Sequence, residues 1–417
     1  MTRTVCVVGA GAREHALAHA LARSADVVVT PGRAAMASDR VTVTSASPLD
    51  VEADLVVVGP EQPLVDGLAD ALRARGRLVV GPGADGARLE GSKSYMKEFL
   101  VAAGVPTARH GSFEDLADAN AFLAELSGTV VVKTDGLAAG KGVLVTDDHE
   151  LARRDVAAKL SGLAFGDAGR RVVIEEGLDG EECSLLVLVD GSVAVPLAPS
   201  RDYKRLYDGD LGPNTGGIGA VSPAPRVDEL LVKRIMAEAI EPTIAELERR
   251  GIEYRGVLYA GVMATREGPK LLEYNVRLGD PESEVVLPRL ADDPFDLFEA
   301  CASGRLTTAP RFTEDAAVAV VLAAAGYPGA PVAGAVIEGL APDGQLATPI
   351  QGVTVYHAGT QRRDGQFLVD GGRVLTLVGL GPSIDVARAR VYAAVGQVHF
   401  EGCHARSDVA ADAGVPA

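Results

Sequence analysis

The sequence predicts an α/β protein built from consecutive domains, and three observations carry that reading. Its 417 residues exceed what one hydrophobic core serves. From Thr4 to about Gly91, apolar runs (VCVVG, DVVVT, DLVVVG, RLVVG) alternate with helical stretches (Arg13 to Ala22, LVDGLADALRARG). Such alternation implies a doubly wound parallel sheet with helices on its faces. Beyond Leu306 the pattern changes to strands at AAVAVVLAA, VTVYHAGT and GRVLTLVGLG before a helix over 383–398, an α+β arrangement.

Composition narrows the function classes. With 47% hydrophobic and 23% charged residues the chain has a globular balance. The longest apolar run, Ala316 to Ala325, stops at GYPG, too short to span a bilayer. The N-terminus enters a strand with no basic region, apolar segment or cleavage site, so a cytoplasmic location is expected and no membrane partner. A net charge of −17 argues against a nucleic-acid partner, which needs many phosphate contacts. Cys6, Cys183, Cys301 and Cys403 show no C-x-x-C spacing, so neither a disulfide framework nor a zinc site is expected.

In the first domain, ligands of a doubly wound sheet sit where strands end, here at GAGAREH and GPEQPLVDG. Gly9-Ala10-Gly11 opens like a dinucleotide fingerprint, but Glu14 stands at its sixth position and no acidic residue closes the second strand. Arg13 and His15 at a helix start suit a phosphate monoester better, since dipole, free amides and guanidinium all attract an anion.

The next unit opens with LEGSKSYMKEFLVAAGVP, an amphipathic helix carrying Lys93 and Lys97 and ending at Gly104. Between the runs TVVV and VLVT lies KTDGLAAGKGV. It fails the Walker A pattern, because Gly136 to Gly140 is one residue short and Gly142 follows Lys141 where Ser or Thr belongs. VLVT also reads as a strand, so the stretch is expected to be a strand–loop–strand hairpin whose glycines let backbone approach phosphate. VVIEEGL offers the backbone N–H and C=O groups of a strand end to an adenine edge, and Glu182 in GEECS can accept from ribose hydroxyls. RDYKRLYDGDLGPNTGGIGA reads as a long functional loop holding Asp202, Lys204 and Arg205, and a long helix follows from about Val227 to Arg250. In LLEYNVRLGDPE, strand alternation puts Glu273, Asn275 and Arg277 on one face. A carboxylate and an amide oxygen so spaced are hard ligands for Mg²⁺ shared with phosphates, and arginine can stabilise a transferring phosphoryl group. A helix to about Gly304 closes the unit. The C-terminal part shows no catalytic cluster: Ile384, Ala387, Val391, Val395 and Val398 share a helix face, and His357, Gly371 and Gly372 read as packing and turn residues.

In order, EGSKSYMK, KTDGLAAGKGV, EEGLDGEECS, PNTGGIGA and EYNVRLGDPE resemble the ATP-grasp ligases. With GAREHA and VGPEQPLV before them and YHAGT and GGRVL behind, nearly the whole chain resembles the phosphoribosylamine–glycine ligase family. The resemblance implies an N-terminal substrate domain (1–92), a central ATP-grasp domain (93–305) with a lid subdomain over about 107–178, and a C-terminal domain (306–417). It implies an ATP-dependent ligase acting through glycyl phosphate on glycine and 5-phosphoribosylamine, working as a monomer with Mg²⁺ or Mn²⁺.

Carried onto this chain, the resemblance gives ATP to Lys93, Lys133, Gly136, Gly140, Lys141, Gly142, Glu175, Glu176, Leu178 and Glu182, and metal to Glu273 and Asn275. It gives glycine and the acyl phosphate to Arg277, Asp202 and Lys204, and the phosphoribose to Gly11, Arg13, Glu14, His15, Glu61 and Asp280. The chain departs from the family pattern at Arg33, Ile218, Leu278, Ser283 and Glu284. Arg33 and Glu284 change charge, so a ligase with a different amine acceptor is the alternative reading.

Overall fold

The computed structural model describes residues 3–137, 142–162 and 169–412. Strands β1 (Thr4–Gly9), β2 (Asp26–Pro31), β3 (Val41–Val43), β4 (Leu55–Val58) and β5 (Leu78–Val80) form a parallel sheet in the order β3-β2-β1-β4-β5. Its order reverses at β1, and the ends of β1 and β4 form the crevice where ligands bind in such sheets. The valines of β1 and β4 are buried on both faces, as unbroken apolar runs in a parallel sheet require. Glycine is needed between these ends: a Cβ at Gly59 would lie 2.0 Å from Glu14 Oε1.

The amphipathic stretch that follows forms two helices, Ala84–Gly91 and Lys93–Ala103. Ser92 separates them as a cap whose hydroxyl accepts from Tyr95 N–H. Gly104, at φ 70°, ends the second helix in the left-handed region that glycine enters without strain. Strands β6 (His110–Phe113), β7 (Val130–Thr134), β8 (Val143–Thr146) and β9 (Val172–Glu176) make an antiparallel sheet in the order β6-β9-β7-β8. Helices Leu116–Glu125 and His149–Leu160 enclose a small separate core with it, including Leu123, Val132, Val156 and Ile174. β7 and β8 pair as the expected hairpin, whose Gly140 and Lys141 lie outside the described residues.

The chain continues through β10 (Glu181–Asp190), β11 (Ala194–Pro196), β12 (Arg201–Asp202), β13 (Arg205–Tyr207), β14 (Leu211–Asn214) and β15 (Gly219–Ser222). The segment read as a long loop is thus largely built. β13 and β14 form a hairpin, and β12 and β15 join a sheet made mostly of later strands. After the helical stretch 229–249, the long strands β16 (Arg255–Thr265) and β17 (Gly268–Asn275) complete the sheet β11-β10-β16-β17. The last part contains β18 (Ala316–Ala323), β19 (Val336–Ile337), β20 (Val353–His357), β21 (Thr360–Arg363), β22 (Gln366–Val369) and β23 (Arg373–Gly381). Its main sheet runs β12-β15-β18-β23-β20, with helix Ile384–Val395 packed on it. One core runs from Val7 of β1 through Leu188 of β10 to Ala319 of β18, so the sheets are held together by shared apolar burial. No helix among the described residues is long and apolar enough to cross a membrane.

Candidate active site

A cavity of about 1020 Å³ opens where the lid sheet, the β10–β17 sheet, the β1–β5 sheet and the C-terminal segment meet. Lys93 reaches it from the first position of its helix, and that start is tied to the end of β7. Lys93 N–H donates to Asp135 O at 3.0 Å, and Ser94 N–H donates to Asp135 Oδ1 at 2.7 Å. Lys133, on β7, places Nζ 2.7 Å from Glu175 Oε1 on β9 and donates to Leu272 O at 3.2 Å. The lid's lysine is therefore docked directly on the strand that carries Glu273. Glu176, the last residue of β9, and Leu178, in the linker after it, contribute to the wall, and Glu182 follows on β10.

Glu273 and Asn275 share a face of β17 and line the cavity together with Arg277. Burial works to raise the Glu273 pKa, but Lys204, Lys133 and Lys93 outweigh it and hold the carboxylate ionised. Lys204 ion-pairs with Glu182 and lies 3.8 Å from Glu273 Oε1. Around this one ammonium crowd Asp202, Glu182 and Glu273; they keep Lys204 charged against burial. Asp202 is pushed well above the usual carboxylate range, by burial and by Glu282, Glu182 and Glu273 against the pull of Lys204.

Arg277 sits just past β17 and is largely committed to protein partners. Nε donates to Glu61 at 3.2 Å, Nη2 to Glu90 at 2.8 Å and Nη1 to Leu278 O at 3.2 Å. It thereby joins the end of β17 to the helix start after β4 and to helix Ala84–Gly91. Arg13 meets the same junction, donating from Nη1 to Leu278 O at 3.2 Å and from Nε to Glu14 at 2.5 Å. Asp280 faces the cavity in an ion pair with Arg373 at 3.0 Å.

Not every expected residue reaches the cavity. Arg13 lines it, but His15 does not: residues two apart on a helix point about 200° apart, so both cannot face one ligand. His15 is buried on the other side, edge-on to Tyr356, and its Nδ1 accepts from His357 N–H at 2.9 Å. Burial, with His357 and His19 adding to it, holds His15 well below the ordinary histidine range and hence neutral. Gly11 and Glu14 also lie off the cavity wall; Glu14 turns back to accept from Gly11 N–H at 2.6 Å and spaces the loops around it. In the hairpin, Gly142 lines the cavity and Gly136 does not, while Gly140 and Lys141 fall outside the described residues. Arg33 is elsewhere, pairing with Asp370 at 2.5 Å in a separate cleft of about 230 Å³.

Several wall residues were not legible in the sequence. The C-terminal segment, read as lacking a site, supplies Arg373, whose Nη1 donates to Gly216 O at 2.8 Å and Asp280 O at 2.7 Å. It staples the PNTGGIGA loop to the GDPE turn, and the only trace was a basic residue after two glycines. Glu90 gave no signal at all; buried, it accepts from Val276 N–H at 2.8 Å as well as from Arg277. Glu284 lies fully buried off the wall, where burial and then Asp280 push its carboxyl well above the usual range against the pull of Arg373. Among the described residues no group of three or more His, Cys, Asp and Glu side chains could by itself hold a metal ion. Glu273 and Asn275 fit the other kind of site, in which one carboxylate and one amide oxygen share a cation with substrate phosphates and water.

A four-stranded lid sheet docked through lysine on a second antiparallel sheet, with carboxylate and amide oxygens between them, defines an ATP-grasp ligase. Family comparison agrees along the chain: the phosphoribosylglycinamide synthetase N domain matches residues 3–90, its ATP-grasp (A) domain residues 91–283 and its C domain residues 317–412. The chain belongs to the phosphoribosylglycinamide synthetase family. It is 44% identical to the phosphoribosylamine–glycine ligase of Streptomyces coelicolor over 98% of this chain and 99% of that one. It is 42% identical to that of Mesorhizobium japonicum, with 97% of each covered. The crystal structure of phosphoribosylamine–glycine ligase from Thermotoga maritima superposes with a TM-score of 0.84 at 36% identity, covering 97% of this chain and 99% of that one. A biotin carboxylase from Campylobacter jejuni shares the fold at 15% identity, with a TM-score of 0.71 over 97% of this chain and 93% of that one.

Proposed function

We propose that this chain is the ligase that joins glycine to 5-phosphoribosylamine at the expense of ATP, giving glycinamide ribonucleotide, ADP and phosphate in purine biosynthesis. One observation carries the reading. A single cavity runs from the adenine-type linker at Glu176 and Leu178, past Glu273 and Asn275, to Arg13 and Glu61 at the crevice of the parallel sheet. ATP, glycine and phosphoribosylamine can therefore meet without the acyl phosphate leaving the protein.

In the first step a glycine carboxylate oxygen attacks the γ-phosphorus of ATP, and ADP departs. Lys93 and Lys133 neutralise the phosphates, with Leu137 and Gly142 on the wall beside them; excluding water matters because the acyl phosphate would hydrolyse. Glu273 and Asn275 are the residues that would hold Mg²⁺ or Mn²⁺, which supplies charge neutralisation across the phosphates when bound. In the second step the amine nitrogen of phosphoribosylamine attacks the acyl carbon and phosphate leaves. The proton that the amine loses leaves with the phosphate, and Asp202 and Lys204 line the cavity on the side of the acyl phosphate, with Lys204 facing the departing group. Arg13 at the start of helix Ala12–Leu21 receives the phosphate monoester, and Glu61 the ribose hydroxyls. Gly11, Glu14 and His15 support this end from behind. The enzyme acts as a cytoplasmic monomer in this reading.

The test is phosphate release from ATP by purified protein. Release is expected only with glycine and phosphoribosylamine together. Equal release with another amine in place of phosphoribosylamine would transfer the assignment to a different acceptor.

A further inference from the structure

Lys97 is a buried charge that the mechanism above does not use. It lies on the helix Lys93–Ala103, is 1% exposed, and does not line the cavity. Its Nζ donates to Glu175 Oε2 at 3.0 Å and to Thr107 Oγ1 at 2.7 Å. Thr107 in turn donates to Leu271 O at 2.7 Å, so its lone pairs are left for the lysine. The other oxygen of the same carboxylate, Glu175 Oε1, lies 2.7 Å from Lys133 Nζ. A carboxylate only 2% exposed thus bridges two ammonium groups, one facing the cavity and one behind it.

The charge count explains why two lysines are present. Glu175 fixes the position of Lys133 but would also cancel its charge, leaving a phosphate facing a neutral pair. A second ammonium on the far oxygen restores the balance to one net positive charge at the wall. We propose that Lys97 is a positioning residue for ATP: it neutralises Glu175 from behind, so that Lys133 is held in place while its charge remains available to the nucleotide phosphates. This rests on the assignment of Lys133 to ATP given above. Burial draws the Lys97 ammonium down to about 8, with Glu175 working against that, so it is still charged near neutral pH. Glu175 itself stays ionised: burial raises it, and Lys133 and Lys97 together more than reverse this.

The test is a set of variants assayed for the KM of ATP, the KM of glycine, kcat and thermal midpoint. Lys97→Met is expected to raise the KM for ATP about ten- to a hundredfold, the scale of one lost charge-assisted contact, with the KM for glycine and kcat at saturating ATP within about threefold. Adding Glu175→Gln to Lys97→Met removes the cancelling charge and should bring the KM for ATP back at least tenfold. A merely structural lysine would give no such rescue. Lys97→Arg, which keeps a positive charge behind Glu175, should hold ATP within about threefold of the parent protein, and it also tests the idea should Lys97→Met fail to fold. A folded Lys97→Met protein with unchanged KM for ATP, or a folded Lys97→Arg protein weakened toward ATP as much as Lys97→Met is, overturns the proposal. Lys133→Met separates it from the underlying assignment: no change in the KM for ATP there would remove Lys133 from the phosphate site, whatever Lys97 does.

Discussion

Replacing Arg277 with methionine tests whether this arginine is mainly a link between the two ends of the cavity. In the structure its guanidinium joins Glu61, Glu90 and Leu278 O, and Glu90 is buried while Glu61 is about one-quarter exposed. Arg277→Met keeps the aliphatic stem and removes the charge, which leaves the largely buried Glu90 without its ionic partner. Breaking one side of such a pair costs roughly 3–5 kcal/mol, mostly the price of the stranded charge. Part of this is recovered by protonation, since burial already pushes Glu90 upward and Arg277 is what opposes it. The second variant, Arg277→Met with Glu90→Gln, has no buried charge left, and the glutamine oxygen can still accept from Val276 N–H. It is expected to regain at least about 2 kcal/mol relative to Arg277→Met alone. The assay is urea denaturation of both variants, Glu90→Gln and the parent, followed by intrinsic tyrosine fluorescence and by circular dichroism. Strict additivity of the two substitutions would refute the reasoning, because it would mean that Arg277 and Glu90 do not share the energy the geometry assigns them. Turnover adds a second readout: if Arg277 is chiefly a link, the double variant regains stability and still loses alignment of the two substrates, seen as a fall in kcat.

Glu273→Ala should lower kcat by roughly a hundred- to a thousandfold at saturating Mg²⁺ with an unchanged thermal midpoint, and parent-like turnover would remove Glu273 from the metal and phosphate site. Arg13→Ala should lower kcat/KM for phosphoribosylamine about ten- to a hundredfold while leaving the KM for ATP unaltered; an equal effect on ATP would show a general disturbance instead. Acid stability is set in part by His357, whose Nε2–H donates to Gly344 O at 2.9 Å while Nδ1 accepts from Thr360 at 3.0 Å. Burial pulls its pKa down to about 4, so the folded state binds fewer protons than the unfolded one. The stabilisation is complete above the unfolded value near 6.5 and is lost as pH falls from there through about 4, by up to about 3 kcal/mol. Unfolding free energies measured between pH 7 and 4 should show this slope, and it should flatten in His357→Gln; an identical slope in that variant would exclude His357 as its source.

Local pattern determined much of this protein. Period-two alternation alone placed Glu273 and Asn275 on one face of β17, and β-branched runs around a glycine loop marked the β7–β8 hairpin that presents Lys133. Those are properties of residues close in the chain, where strand and turn geometry leave few choices. Helix geometry was available too: the two 100° steps that separate Arg13 from His15 were in the sequence, although the presence of both at one helix start concealed them. What only the tertiary structure decided is where distant segments touch. Arg373 meets Asp280 and Gly216, and Glu90 meets Arg277, across long stretches of chain that no spacing rule connects. The same holds for Arg33, which the fold commits to Asp370 and away from the main cavity. It holds as well for Lys97, which the sequence placed on an amphipathic helix without showing the carboxylate that answers it. Charges inside a protein need partners because desolvation is costly, and the partner is whichever opposite charge the packed sheets bring within reach. That choice belongs to the three-dimensional arrangement of the sheets and not to any one segment.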